Sequence, residues 1–542
     1  MKRVHTLLLV VLSVLFAITS CSDKDDPILK NPNTEKTEED NINLISQFVY
    51  DGLSSYYLWS DEMIEKKPTI NDSDPKKYFK SVLYKTDTDN GWSWITDDVD
   101  GLLGDFDGEP ESLSFGYSLS FLSAENNTAF AIIKYIFPNT PASNAKLQRL
   151  DLIGKINGKP ITTEKGVDGG TYISEKDINI LYGSNEATFT IYKLTEKGIE
   201  YDREVQIYPA KIKTDPVLFD KTYSIGNKKI GYLFYTNFIS NYNNRLFEVF
   251  SKFKNEGITD LVLDLRYNPG GSISAASYLV SLFAPELDVK NNTTLTTLSY
   301  NKFLNQLFDS DSKSSRNTQL GIYQKEDILD EEGKIISKSA PNPLEANLNL
   351  DKVYIIATGN SASASELTTF CSRAIMGESN VTHIGGKTSG KYTGSWTIHP
   401  YSKYGGRTVP LYVEEKLSTK QKDNFRNWAM QPIVAVYTDK NGKDFINPGY
   451  LEPDYTLNEG FGYIDYWKPI GDTEDVFLGQ ALYLITGDES YKPAKPKQTR
   501  SSHKQIIEIN STKDDPKPLI IDNIKLSLED LDIIREVRRF KN

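Results

Sequence analysis

Two stretches hold the side chains best suited to chemistry: the serine run Asn360-Ser361-Ala362-Ser363-Ala364-Ser365-Glu366-Leu367, and the glycine-rich turn Gly385-Gly386-Lys387-Thr388-Ser389-Gly390-Lys391. The serine run follows Val353-Tyr354-Ile355-Ile356, an apolar β-branched and aromatic run that reads as a buried strand, and precedes a helix-compatible stretch from Ala364 to Met376. At such a helix mouth, orphan N–H groups and the helix dipole favour developing negative charge, which suits Ser363 as a nucleophile. The same residues also read as a plain capping box, with Ser363 at the N-cap and Glu366 three positions on. A buried lysine loses proton affinity to desolvation, so Lys391 could serve as a neutral base for the Ser363 hydroxyl. Lys387, His383 and His399 are competing bases.

Stepping outward, Asp260-Leu261-Val262-Leu263-Asp264-Leu265 reads as a second buried strand. It leads into Arg266-Tyr267-Asn268-Pro269-Gly270-Gly271, where Asp264 and Arg266 could pair to brace the turn. These three signatures together resemble the carboxyl-terminal processing peptidases, or tail-specific proteases, over roughly residues 115 to 487. The resemblance implies Ser363 as nucleophile, Lys391 as base, and an oxyanion hole from the amides of Ala364 and Gly271 or Gly270. It also implies an α/β, crotonase/ClpP-like peptidase core. Lys391 stands 28 positions after Ser363, a longer interval than that family usually shows. Four residues past the lysine, where the family often has an orienting glutamine, is Ser395, the candidate orienter here.

Ser114 to about Pro209 alternates strands and turns, with a hairpin expected at Asn157-Gly158. This order resembles a PDZ domain of the protease-associated kind. The resemblance assigns a peptide's terminal carboxylate to the loop at Phe115, Gly116 and Tyr117, with the peptide adding as a strand beside it; a PDZ-shaped spacer without a ligand is the alternative. Residues 43–112 read as an aromatic-rich helical cap, with Ile42, Leu44, Ile45, Phe48, Val49, Leu53 and Tyr56 at spacings compatible with one helix face. Leu287 to Leu350 reads as a polar insertion, either a lid or an inert excursion.

The chain has 542 residues, 25% of them charged and 38% hydrophobic, and a formal net charge of -12, which argues against nucleic acid as partner. Lys2-Arg3 and the apolar run Leu7 to Ala17, ending at Ile18-Thr19-Ser20-Cys21, resemble a bacterial lipoprotein signal with Cys21 lipidated; an ordinary secretory signal is the alternative. Four scattered histidines (His5, His383, His399, His503) and no Cys-x-x-Cys give no metal-binding pattern, and no cofactor motif is present.

The expected order is therefore signal and lipobox (1–21), tether (22–42), helical cap (43–112), PDZ-like β-rich domain (113–210), peptidase core (211–488), and a linker with C-terminal extension (489–542). The expected protein is a multidomain α/β serine endopeptidase of the cell envelope. It would be lipid-anchored, at the outer membrane on its periplasmic or surface face, and act on proteins or peptides through their C-terminal tails. A catalytically silent surface lipoprotein that binds peptides is the second expectation.

Overall fold

A computed structural model describes residues 42–166, 169–195, 198–310, 316–329, 333–404, 406–460, 466–494 and 507–509. Cys21 and the segments 1–21 and 22–41 lie outside the described residues.

The centre is a six-stranded sheet in the order Tyr455–Thr456, Val381–Gly385, Val353–Ala357, Asp260–Asp264, Lys228–Tyr235, Val217–Ile225. All neighbours are parallel except the last pair. The two middle strands are buried along their whole length, as a parallel sheet covered on both faces requires. Leu261, Leu263, Val353 and Ile355 face one core with Phe250, Leu279, Leu367 and Cys371 from three helices. Val262, Tyr354 and Ile356 face the other, under Phe477, Leu478, Ala481 and Leu482 of the helix Val476–Thr486. Period-two alternation thus supplies two cores from one sheet. Asp264, Ile356 and Ile384 lie in register, so the turns after them emerge side by side at the carboxyl edge, where open α/β sheets build their sites.

The run from Leu287 to Leu350, expected as a lid, a substrate-shaping element or an inert surface excursion, contributes in part to the core. Its strand Thr294–Tyr300 pairs with Ile433–Asp439, which on its other side pairs with Thr393–Ser395. Leu295, Leu298, Leu304 and Phe308 are buried in the main core. Spaced polar residues hide an apolar face here, because strand alternation puts them outward.

Ahead of the core, Leu44–Tyr56 starts at Asn43, whose side chain accepts from the amide of Ile45 at 2.8 Å. Phe48, Val49 and Leu53 are fully buried. At Gly52 a Cβ would stand 1.9 Å from the Met430 Cε, so a larger residue there would push the end of that side chain aside. The strand Trp94–Thr96 pairs with Ala429–Gln431, joining these helices to the core.

The β-rich unit has its own core around Phe115, Ile133, Ile153, Phe189 and Ile191. Leu152–Ile156 and Lys159–Lys165 meet at Asn157-Gly158, both at positive φ, as the hairpin expectation required. The outer edge of Tyr117–Ala124 is paired antiparallel with Ile507–Ile509, Phe121 opposite Ile509. That part of the C-terminal extension was unassigned from sequence.

Arg266 is fully buried. Its guanidinium is held at 2.7 Å by Asp264 and at 2.7 Å by Asp475, and reaches Glu459 at 2.8 Å, so the expected Asp264–Arg266 pair exists and is larger than expected. Arg266→Ala would leave two buried carboxylates unpaired. We expect a loss on the order of 3–5 kcal/mol, read as a lower urea midpoint with the far-ultraviolet spectrum retained in water.

Candidate active site

Three turns converge at the carboxyl edge of the sheet. Ser361 Oγ donates to the Leu265 carbonyl at 2.7 Å and accepts from the Thr358 amide at 2.9 Å. Thr358 Oγ1 donates to the Arg266 carbonyl at 2.5 Å, and Ser365 Oγ to the Asn268 carbonyl at 2.8 Å. The serines flanking Ser363 thus sew its turn to the Asn268-Pro269-Gly270-Gly271 turn. Between them Ser363 takes φ 54° and ψ -112°, a conformation an L-residue adopts only under constraint, at about 1–3 kcal/mol. It is buried at the mouth of the helix Ala364–Met376. An ordinary N-cap has extended backbone; this one does not.

The capping partner has a second task. Glu366 Oε2 accepts from the Ser363 amide and the Lys391 amide, both at 2.8 Å, while Oε1 accepts from Gly390 at 2.7 Å. The two amide nitrogens, each 2.8 Å from one oxygen, lie no more than twice that distance apart. On the carbonyl side, Tyr437 hydroxyl donates to Lys391 at 3.0 Å and Ser363 at 3.3 Å. The extra chain around Glu378–Asn380 forms a single 3-10 turn before Val381–Gly385, so the longer interval leaves the two residues adjacent. Lys391 is fully buried. Burial pushes Glu366 up to about 7, against the amide hydrogen bonds and Thr388, which pull it down.

The Gly270 amide donates to Asn268 Oδ1 at 2.9 Å, so it is committed within the turn, and Gly270 is corrected out of the expected donor set. The Gly271 and Ala364 amides have no acceptor among the described residues. A Cβ on Gly270 would fall 2.9 Å from Ser363 Cβ and 3.0 Å from the Ala364 amide, so glycine is required where the two turns touch. The arrangement leaves two amides for an anion beside a serine.

Other candidates fall elsewhere. Lys387 is exposed, bound to Tyr450 hydroxyl at 2.8 Å and Glu452 at 3.0 Å. His383 is wedged between the Ala357 and Glu452 carbonyls at 3.2 Å, and His399 contacts the Tyr401 carbonyl at 2.7 Å; both are core residues whose proton affinity burial lowers. Ser395 Oγ is buried without a hydrogen-bond partner among the described residues, which removes it as orienter of Lys391. Its strand pairing with Ile433 fixes it in the sheet instead. Of the Phe115-Gly116-Tyr117 loop, Phe115 is core, Tyr117 hydroxyl donates to the Leu181 carbonyl at 2.7 Å, and the Gly116 amide donates to Ser114 at 3.1 Å. Glu366 and Tyr437 were missed as site residues. A glutamate three after a helix-start serine signals capping and nothing more, and Tyr437, 46 positions past Lys391, gives no local signal.

A cavity of about 600 Å³ opens where the β-rich unit meets this edge. Leu122, Ile132, Tyr267, Asn360, Leu457 and Trp467 are among its lining. Arg149 crosses it to Glu459, and Tyr267 hydroxyl binds Glu459 as well. Burial opposes ionisation of Glu459, but Arg149 and Arg266 hold it at about 2.

Residues 229–457, which contain all three turns, match the family model for peptidase family S41, and residues 45–94 match the peptidase S41 N-terminal domain. The chain belongs to peptidase family S41. Over 312 residues it is 24% identical to a "Probable CtpA-like serine protease" of Staphylococcus epidermidis, covering 56% of this chain and 50% of that one. Over 411 residues it is 24% identical to a protein of the same name in Staphylococcus aureus, covering 75% and 66%. The chain thus spans about half the length of the first of these curated relatives. The crystal structure of a protein assigned as an S41 protease from Bacteroides fragilis superposes with a TM-score of 0.59 at 24% identity, covering 81% of this chain and 97% of that one. The mixed α/β S41 fold is therefore common to both, with Ser363, Lys391, Glu366 and Tyr437 all inside the S41 segment.

Because Glu366 has a folded pKa of about 7 against an ordinary 4.5, its contribution to stability is present in full below about pH 4.5 and lost as pH rises through about 7. Relative to Glu366→Gln, the wild-type S41 chain should lose on the order of 3 kcal/mol across that window, read from unfolding midpoints at stepped pH. A constant difference would show that Glu366 is ionised at all these pH values.

Proposed function

We propose that the chain is a serine endopeptidase working through a Ser363–Lys391 dyad. The observation that carries this reading is the single Glu366 oxygen holding both backbones, next to a Ser363 conformation that an ordinary cap does not need. The Lys391 amine takes the Ser363 proton as Oγ attacks a peptide carbonyl. The resulting oxyanion accepts from the Ala364 and Gly271 amides, each donor worth about 3–4 kcal/mol in comparable sites. The lysine ammonium then protonates the departing amine, leaving an acyl ester on Ser363. A water molecule, giving its proton to Lys391, releases the acid and restores the serine.

The β-rich unit serves as a PDZ-like module for a polypeptide's C-terminal tail, and the helices of residues 43–112 form a cap on the core. The committed Gly116 amide leaves the amides of its neighbours Phe115 and Tyr117 for the carboxylate. The peptide would add at the outer edge of Tyr117–Ala124, which Ile507–Ile509 covers in part. The apolar cavity beside Asn360 suits side chains of an unfolded substrate. Lipidation at Cys21 would tether the enzyme in the cell envelope, since each buried acyl CH₂ contributes about 0.8 kcal/mol. Among the described residues no helix is long and apolar enough to cross a membrane.

Ser363→Ala and Lys391→Ala should each lower cleavage of fluorescein-labelled casein by at least about 1,000-fold with folding unchanged; near wild-type cleavage by either would reject the dyad. A chain ending at Ala494 should bind an extended C-terminal peptide more tightly than the full chain by fluorescence anisotropy. Equal affinity would mean that Ile507–Ile509 does not compete for the edge.

A further inference from the structure

Lys391 has lost its expected orienter, since Ser395 Oγ makes no hydrogen bond among the described residues. A carboxyl from a different part of the chain is built toward the lysine strand. Asp87, in the helix Lys85–Asn90, is fully buried. Its Oδ2 accepts from Tyr57 hydroxyl at 2.7 Å and Ser93 Oγ at 2.5 Å, and its Oδ1 from the Ser93 amide at 2.8 Å. All three donors are neutral, so they hold the carboxylate without cancelling its charge. Ser93 Oγ in turn accepts from the Ile433 amide at 2.8 Å, and Ile433 is the residue opposite Ser395 in the strand Lys391 leads into. Trp92 packs edge-on against Tyr392, the neighbour of Lys391, with centroids 5.3 Å apart. Burial pushes the Asp87 carboxyl up, while Ser93, Tyr57 and the positive charge of Lys391 pull it down.

We propose that Asp87 is the positioning residue of Lys391: from the N-terminal helices it supplies the buried negative charge that holds the amine toward Ser363 and stabilises it once it has taken the serine proton. This rests on the Ser363–Lys391 dyad. It gives the helices that precede the core a part in the chemistry, because the buried carboxyl of Asp87 comes from one of them. An acidic partner does the same for the base of a serine–histidine pair. Among the described residues, ionisable groups that face Lys391 or its neighbours include Asp87, Glu366 on the helix Ala364–Met376, Tyr437 on the strand Ile433–Asp439, and Tyr57 on the far side of Asp87. Glu366 titrates near 7, so the test compares variants that all retain it.

The test is the pH profile of casein cleavage by Asp87→Asn and Ser93→Ala against wild type. A negative charge beside an amine favours its protonated form, so removing it lets the amine lose its proton at lower pH. Asp87→Asn should therefore shift the acid limb down by at least about half a pH unit. It should also lower the limiting rate at least about tenfold, with the half-saturating casein concentration unchanged. Ser93→Ala, which keeps the charge, should leave the limb in place. A folded Asp87→Asn with a wild-type limb, or an equal shift in Ser93→Ala, overturns the proposal while the dyad stands; cleavage by Ser363→Ala or Lys391→Ala overturns both. If Asp87→Asn does not fold, Asp87→Asn/Lys391→Met decides: paired charges removed together should restore folding, and a double variant as unfolded as the single overturns the pairing.

Discussion

One carboxylate oxygen decides the geometry of this site. Glu366 Oε2 takes the amides of Ser363 and Lys391 at 2.8 Å each, so two residues far apart in sequence cannot separate without stranding a buried acceptor. A buried carboxylate that loses its donors costs several kcal/mol, which makes the bridge a stiff constraint. The left-handed backbone at Ser363 persists because Glu366 on one side and the Ser361 and Ser365 hydroxyls on the other leave it no relaxed alternative.

Behind the bridge lies a second set of buried charges. Arg266 gathers Asp264, Asp475 and Glu459, and Glu459 also takes Arg149 from the β-rich unit. Asp264 ends the strand beside the Ser363 strand, and the Arg266 carbonyl accepts from Thr358. The turn that offers the Gly271 amide is therefore braced from the sheet below and from the β-rich unit above. Buried pairs of this kind are poor sources of net stability but strong guardians of one arrangement.

Sequence alone was enough for the parts of the fold that obey short-range rules. The unbroken apolar stretches Leu261-Val262-Leu263 and Val353-Tyr354-Ile355-Ile356 declared buried strands, and Asn157-Gly158 declared its hairpin. The serine and the lysine were singled out by their helix-start and glycine contexts, and their amides meet on one Glu366 oxygen. The strand Thr294–Tyr300 was not legible, because its threonines and leucines sit among polar neighbours and the partner on one side, Ile433–Asp439, lies more than a hundred residues on. Tyr437, Ser93 and Asp87 matter through contacts between segments far apart in the chain, and pairing at that distance leaves no local trace. Ser395 was misjudged for the opposite reason: its spacing from Lys391 suited an orienter, yet its hydroxyl meets no partner among the described residues.

The most direct measurement of the central claim is mass-spectrometric mapping of the adduct formed by a fluorophosphonate, which phosphonylates only a serine whose hydroxyl is activated by a nearby base. The account predicts one adduct, on Ser363, whose formation is lost when Lys391 is replaced by alanine in a folded chain. An adduct on another residue, or undiminished labelling of Ser363 without Lys391, would contradict it.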